Sequence, residues 1–263
     1  TGGTKEWLAE QTDLTVVNQR NTGGAGGFYT GVKTAYEKGH DWIWCMDDDA
    51  MPEESAFEAL MDAADRHDLP ALCPLIVGKD DVTQHWHHKR IQSPGLRESF
   101  PIECDQRDQL PEMVPLDANA FVGPLFHRDV VEAVGLPLAS MFIWGDDVEY
   151  TYRVSREFPF ALIPEARIIH SDLGQQKTDV ALWKMFFGER NHLFMVKKFE
   201  GRLPFYVYAL ATLLLRIPRV FLTVENRWVR VRLMLKALME AASENLETQS
   251  KEAAERVIGL GTA

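Results

Sequence analysis

The chain has 263 residues, 46% hydrophobic and 25% charged, which suits one large soluble domain, or one domain with a helical appendage. A net charge of -11 argues against nucleic-acid binding across the whole surface. Three cysteines (Cys45, Cys73, Cys104) fall in no paired or metal-type spacing, which points to a reducing, cytosolic setting. No signal peptide is visible, and the chain opens at Thr1 without an initiator Met, so further residues are expected upstream.

Leu14-Thr15-Val16-Val17 is strand-like and leads into the polar loop Asn18-Gln19-Arg20-Asn21. Thr22-Gly23-Gly24-Ala25-Gly26-Gly27 then opens a helical pattern carried by Phe28, Val32, Ala35 and Tyr36. Trp42-Ile43-Trp44-Cys45-Met46 lacks alternation and reads as a strand covered on both faces, running into Asp47-Asp48-Asp49. A helix is predicted from Pro52 to about Asp65, and Ala71 to Val77 form another buried strand. This βαβαβ order predicts an α/β fold with a mostly parallel sheet and right-handed crossovers.

Residues 78–115 lack periodicity and read as a long functional or mobile loop. Regularity returns at residues 119–122 and 125–126, followed by a helix over 129–134 that Gly135 ends. Phe142-Ile143-Trp144-Gly145 meets Asp146-Asp147 at the start of another helix. Residues 160–163 and 167–170 look like two short strands, and from about Val180 the chain reads as helices.

Three carboxylates at the end of a buried strand repel one another and are costly without a cation. The carboxyl end of a central strand is also where open α/β sheets bind ligands. A hard divalent cation carrying a diphosphate fits that charge and place. The alternative, an acidic cap on the following helix, needs only one aspartate.

In the second acidic cluster, Trp144-Gly145-Asp146-Asp147-Val148-Glu149-Tyr150, the helix start favours an ionised carboxylate. Such a group can accept a proton from an attacking hydroxyl, or simply cap the helix. Two separated acidic clusters, one for metal and one for base, favour the catalytic alternative.

His170 closes a strand and either completes a metal site through a neutral ring nitrogen or serves as a structural hydrogen-bonding group. His85, His87 and His88 lack accompanying cysteines, so zinc is not expected there; solvated loop residues or contacts to a polar substrate are. Asn21 and the glycines after it, Gly24 among them, offer backbone amides to a nucleotide at a helix start. They match neither the Walker A nor the dinucleotide fingerprint, and tight packing explains the glycines equally well.

Taken together, these stretches resemble family 2 glycosyltransferases of the GT-A (nucleotide-diphospho-sugar transferase) fold, over roughly residues 1–195. The resemblance rests on the two acidic clusters and His170, with Gly3-Thr4-Lys5-Glu6-Trp7-Leu8 and the glycine-rich 21–28 segment. Asn119-Ala120-Phe121-Val122-Gly123 and Gly188-Glu189-Arg190-Asn191 complete it. It is strongest for the bacterial galactofuranosyltransferase and rhamnosyltransferase branch. It implies that Asp47 and Asp49 form a DXD pair, with Asp48 between them. It also implies that His170 joins the metal shell around Mn²⁺ or Mg²⁺. Asn21, Gly24, Asp47 and Asp48 would face the donor. Asp147 would be the general base, with Asp146 and Trp144 on the acceptor.

The implied reaction is single displacement with inversion at the anomeric carbon. Its donor would be a nucleotide diphosphate sugar such as UDP-galactofuranose or dTDP-rhamnose, and its acceptor a hydroxyl of a cell-surface glycan or lipid-linked saccharide. The family also implies a further strand and nucleotide loop upstream of Thr1.

The expected organisation is a catalytic domain over 1–198 and a helical, membrane-associating region over 199–263. Residues 203–215 are apolar but too few to span a bilayer before Arg216 and Pro218 interrupt them. Arg219, Arg227, Arg230, Arg232 and Lys236 follow among apolar and aromatic residues. This suggests either a surface lying on anionic lipid or a packed helix with a solvated basic face. Residues 244–263 read as a frayed helix or tail. The expected location is cytoplasmic, peripheral on the inner face of the plasma membrane. Two further alternatives are an aspartate-based phosphotransferase using Asp47 as nucleophile and a non-catalytic glycan- or membrane-binding scaffold.

Overall fold

A computed structural model describes residues 3–102, 110–171, 181–223 and 226–259; Cys104 lies outside them. The chain opens with helix α1 (Thr4–Glu10), which buries no residue. Leu14, Val16 and Val17, expected as a strand, are exposed and irregular. They pair with no strand among the described residues, so their amides have no ladder to join. Helix α2 (Gly23–Glu37) follows, then β1 (Trp42–Trp44) and β2 (Ala50–Pro52).

The next helix, α3 (Ala56–His67), begins later than its pattern suggested, because Pro52 is held in β2 opposite Ile168. After it come β3 (Ala71–Val77), β4 (His88–Gln92), β5 (Arg97–Ser99), β6 (Val114–Pro115), β7 (Ala118–Asn119) and β8 (Leu125–His127). Helices α4 (Arg128–Val134) and α5 (Asp146–Ser155) precede β9 (Phe160–His170). The predicted pair of short strands is therefore one long strand. A register shift opposite Pro74 and Leu75 absorbs Pro164, Glu165 and Ala166.

The main sheet has the order β1-β8-β3-β9-β2, with β6 sharing an edge of β9. The α/β class is as expected, but a mostly parallel sheet is not what forms. Among the described residues only β3 and β9 pair in parallel, and the other registered pairs of this sheet are antiparallel. The physical reason is that β8 inserts between β1 and β3 and opposes both. β1, β3 and β9 nevertheless run the same way, so their carboxyl ends lie along one margin of the sheet. Every residue of β3 is buried, because both faces of the sheet are covered. Leu72 packs with Leu60 and Ala64 of α3, whereas Cys73 and Leu75 join Val32, Tyr150 and Val154 of α2 and α5.

The segment read as a long loop instead contains two strands of a second sheet, β5-β4-β7, and a 3-10 turn at His85–His87. From Leu182 the chain is helical: α6 (Leu182–Glu200), α7 (Arg202–Ala211), a π-turn (Thr212–Arg216), α8 (Ile217–Thr223), α9 (Arg227–Ser243) and α10 (Lys251–Ile258). Helices α9 and α10 seat on α6 in a core that also holds Met141 and Phe142. The expected frayed tail is thus partly a docked helix, because Ala254 and Ile258, four residues apart, are both fully buried.

A second correction concerns the apolar stretch after Arg202. It is long enough by length and composition to cross a membrane, as a continuous run Arg202–Leu222 of 21 residues. Arg216 and Pro218 do not end it. The π-turn falls just before Pro218, where proline has no amide to give the helix, and Arg216 folds back onto Glu189.

Candidate active site

The carboxyl margin of β1, β3 and β9 borders a cavity of about 950 Å³. Asp47, Asp48, Asp49, Asp146, Asp147 and Glu98 all line it, and among the described residues Lys89 is the only Lys or Arg that does. That excess of carboxylates sets the chemistry of the site.

One wall is built by the end of β1. The Cys45 amide donates to the Pro124 carbonyl (2.9 Å), the Gly123 amide donates to the Cys45 carbonyl (2.8 Å), and the Trp44 indole donates to the Gly123 carbonyl (2.7 Å). This grip fixes where the chain leaves the sheet. Only glycine fits at 123. Its φ is 89°, and a Cβ there would lie 2.4 Å from Ile168 Cδ1 and 2.6 Å from Pro74 Cγ. The β2–β9 register then sets Ala50 opposite His170, which brings Asp49 beside the imidazole.

Asp47, Asp49 and His170 each offer a ligand atom, all within 4.8 Å of one another. His170 Nδ1 lies 2.9 Å from Gln84 Oε1, and Nε2 lies 3.3 Å from Asp49 Oδ1. With Nδ1–H donating to the amide oxygen, Nε2 carries a lone pair that faces a carboxylate oxygen. Two acceptors so placed can share a cation. Two ligands at right angles on a cation with bonds of about 2.1 Å lie about 3.0 Å apart, close to the observed spacing. Oxygen and imidazole donors suit Mg²⁺ or Mn²⁺, so the residues present fit such an ion.

Gln84 is buried and its Oε1 also lies 3.1 Å from His87 Nε2, so one amide orients two histidines. Burial pushes the His87 pKa down to about 2, keeping the ring neutral against the edge of His170. His88 corrects the expectation of solvated loop histidines. It is fully buried, with Nδ1 donating to Asn119 Oδ1 (2.7 Å) and Nε2 accepting from the Ile76 amide (3.3 Å).

The opposite wall is the loop entering α5. Phe142 (φ 65°), Trp144 (φ 63°) and Gly145 (φ 86°) are all left-handed, a strained run for two aromatic residues. Buried donors hold it in place. Arg190 Nη2 donates to the Ser140 and Met141 carbonyls, both at 3.0 Å. Asn191 Nδ2 donates to the carbonyls of Met141 (2.9 Å), Ile143 (3.0 Å) and Trp144 (2.7 Å). The Phe142 carbonyl accepts from the Ala25 amide (3.2 Å) and lies so close to Gly23 that a Cβ there would sit 1.9 Å away.

Trp144 is half exposed and rests over Gly188, with Asp146 and Asp147 next in line. Helix α5 is fastened behind them by Glu149, which is fully buried between Arg153 (3.0 Å) and Lys198 (2.5 Å). Asn191→Ala is therefore expected to destabilise the fold by about 1–3 kcal/mol, the cost of stranding buried acceptors. It should also lower turnover more than nucleotide affinity, since the loop carries Trp144 to Asp147. Denaturant midpoints and kinetics check this, and an unchanged midpoint removes the clamp.

Electrostatics agree with the geometry. The Asp47 side chain opens to the cavity yet is ringed by protein; burial and the neighbouring Asp49 charge raise its pKa to about 6, with His170 opposing. Burial also raises both Asp146 and Asp147, and the neighbouring Asp147 and Asp47 charges push Asp146 up further. Asp147 Oδ1 accepts the Val148 amide (2.7 Å), which fixes one carboxylate oxygen and leaves the second for another partner.

Eight of the residues singled out from sequence line this one cavity: Gly24, Asp47, Asp48, Asp49, Trp144, Asp146, Asp147 and His170. Asn21 does not; its side chain instead accepts the Gly23 amide (3.0 Å) at the start of α2. The glycine-rich segment divides the same way. Gly23 and Gly26 are packing residues, whereas Gly24 has open space where a Cβ would be. The sequence reading missed Gln84, Lys89, Glu98 and His192. Lys89 and Glu98 (2.6 Å apart) lie in the stretch that lacks periodicity, and nothing local marks Gln84.

Comparison with known proteins follows the same lines. The glycosyl transferase family 2 profile matches residues 1–134. Galactofuranosyltransferase GlfT1 of Mycolicibacterium smegmatis is 34% identical over 155 residues, 58% of this chain and 51% of the relative. GlfT1 of Mycobacterium tuberculosis is 32% identical over 155 residues, 58% of this chain and 50% of the relative. The chain thus spans about half the length of these curated relatives. A structure of GalNAc-T7 with UDP, GalNAc and Mn²⁺ superposes with TM-score 0.50 at 14% identity, over 73% of this chain and 38% of that one. S. aureus TarS 1-349 with UDP superposes with TM-score 0.50 at 10% identity, over 97% and 78%. These two likenesses speak for the fold.

Proposed function

The chain belongs to glycosyl transferase family 2, and from that premise we propose a metal-dependent, inverting transfer of a sugar from a nucleotide diphosphate donor to an acceptor hydroxyl. The observation that carries this reading is one cavity bordered by the Asp47, Asp49 and His170 trio and by Asp147. Galactofuranosyltransferase relatives favour a galactofuranosyl donor such as UDP-galactofuranose, and a glycan or lipid-linked saccharide as acceptor.

Asp47, Asp49 and His170 would hold Mn²⁺ or Mg²⁺, which when bound supplies charge neutralisation to a leaving diphosphate. Asp48 and the open backbone at Gly24 border the space for the nucleotide. Trp144 offers a half-exposed ring to a sugar face, and Asp146 stands beside it for the acceptor.

Asp147 takes the proton of the acceptor hydroxyl as that oxygen bonds to the anomeric carbon. The bond from that carbon to the phosphate oxygen breaks, and its electron pair leaves with the diphosphate. Attack and departure on opposite faces invert the anomeric centre. Burial of Asp147 raises its basicity above that of an ordinary aspartate, which suits this role.

A panel of nucleotide sugars tested for thermal stabilisation identifies the donor, because a ligand that binds only the native state raises Tm. We expect a rise of Tm with one nucleotide sugar that vanishes when Mn²⁺ is chelated. Stabilisation that persists without metal counts against the cation, and none with any donor counts against the transferase reading.

A further inference from the structure

Away from the acidic cavity, helix Arg202–Leu222 turns an apolar face outward. Leu203, Val207, Leu210 and Leu214, spaced three to four residues apart, are 75%, 61%, 56% and 63% exposed. A core helix of that composition is mostly covered; here only 11% of the most apolar window is buried. The charge around it is as unusual. In a chain of net charge -11, residues 202–236 hold seven Lys or Arg (Arg202, Arg216, Arg219, Arg227, Arg230, Arg232, Lys236) against Glu225 alone.

A second cavity, of about 370 Å³, lies where α6, α8 and α9 meet beside this helix. Glu189, Arg216, Arg219 and Arg230 line it, with Met185 and Leu233 as apolar wall. Glu189 is already neutralised, since Arg216 Nη2 donates to its Oε2 at 2.9 Å and a second guanidinium nitrogen engages Oε1. Three guanidinium groups thus line the cavity against that single carboxylate. Arg230 Nε is buried with no hydrogen-bond partner among the described residues, and Nη1 reaches only Met185 Sδ at 3.7 Å. A buried guanidinium N–H without an acceptor is costly, and its forked donors match the oxygens of a phosphate.

We propose that this cavity binds the phosphate of an anionic lipid headgroup and so seats the Arg202–Leu222 face on a membrane. The lipid, rather than free phosphate, follows from the adjoining exposed leucines and from Trp228, which is 70% exposed next to Arg227. The proposal does not depend on the transferase reading, and its readout is binding, not turnover.

The test is flotation of the full chain with vesicles of phosphatidylcholine alone and of phosphatidylcholine with phosphatidylglycerol. Wild type is expected to float with the anionic vesicles and not with the neutral ones; equal flotation overturns the headgroup assignment. The Arg219→Gln, Arg230→Gln double variant should bind about thirtyfold more weakly, the factor for two basic residues at an anionic surface. Unchanged binding by a variant that melts like wild type removes the site. Leu210→Ser with Leu214→Ser should also weaken flotation, and full binding there excludes the helix face. A rise of Tm with inorganic phosphate and no flotation assigns the cavity to free phosphate and overturns the membrane role.

Discussion

Asp147→Asn is expected to abolish transfer, lowering kcat by roughly 10²–10⁴-fold, the range a positioned proton acceptor supplies. Asparagine has nearly the same shape and can still accept the Val148 amide through its oxygen, so the loop and α5 should keep their form. It cannot take a proton. Asp147 stands outside the Asp47, Asp49 and His170 trio, so Mn²⁺-dependent nucleotide binding should remain near wild type.

The same residue sets an acid limb. Burial raises the Asp147 pKa, and the active form is the ionised one. Activity should therefore fall as pH drops through that raised value, above the ordinary aspartate pKa of about 3.9. Turnover at several pH values and nucleotide binding by calorimetry check both halves. Retained turnover in the variant removes Asp147 from the base role.

Asp49→Ala should act on the other wall. It takes away the carboxylate 3.3 Å from His170 Nε2 and leaves the ring and Asp47 as an incomplete set. Loss of a partner behind a ligand already costs about 10–100-fold in metal affinity, so loss of a ligand should cost at least that. The expected result is nucleotide affinity that no longer responds to Mn²⁺, with Tm in the absence of ligand close to wild type because Asp49 is exposed. Unchanged calorimetric affinity in the presence of Mn²⁺ would falsify the metal assignment. The two variants together separate binding from chemistry: one should bind without turning over, the other should not bind.

Much of the site was legible because its parts are local in sequence. An apolar run ending in three aspartates, and a Trp-Gly-Asp-Asp step into a helix, each announce their chemistry within a few residues. His170 was legible as a strand end. Gln84 was not, since an amide that orients two imidazoles leaves no periodic signature. Neither was the clamp role of Arg190 and Asn191, whose acceptors lie more than 45 residues away.

The sequence by itself determined the α/β class, the two acidic clusters and the buried β3, because hydrophobic runs and charge repulsion act between neighbours along the chain. Only the tertiary structure decided that β8 runs between β1 and β3, that β4 and β5 join β7 in a second sheet, and that Asp49 meets His170. Those outcomes depend on strand register and on contacts between distant segments, whose closure no local pattern encodes. The outward face of Arg202–Leu222 was settled the same way, since composition gives its apolarity but only packing shows what leaves it bare.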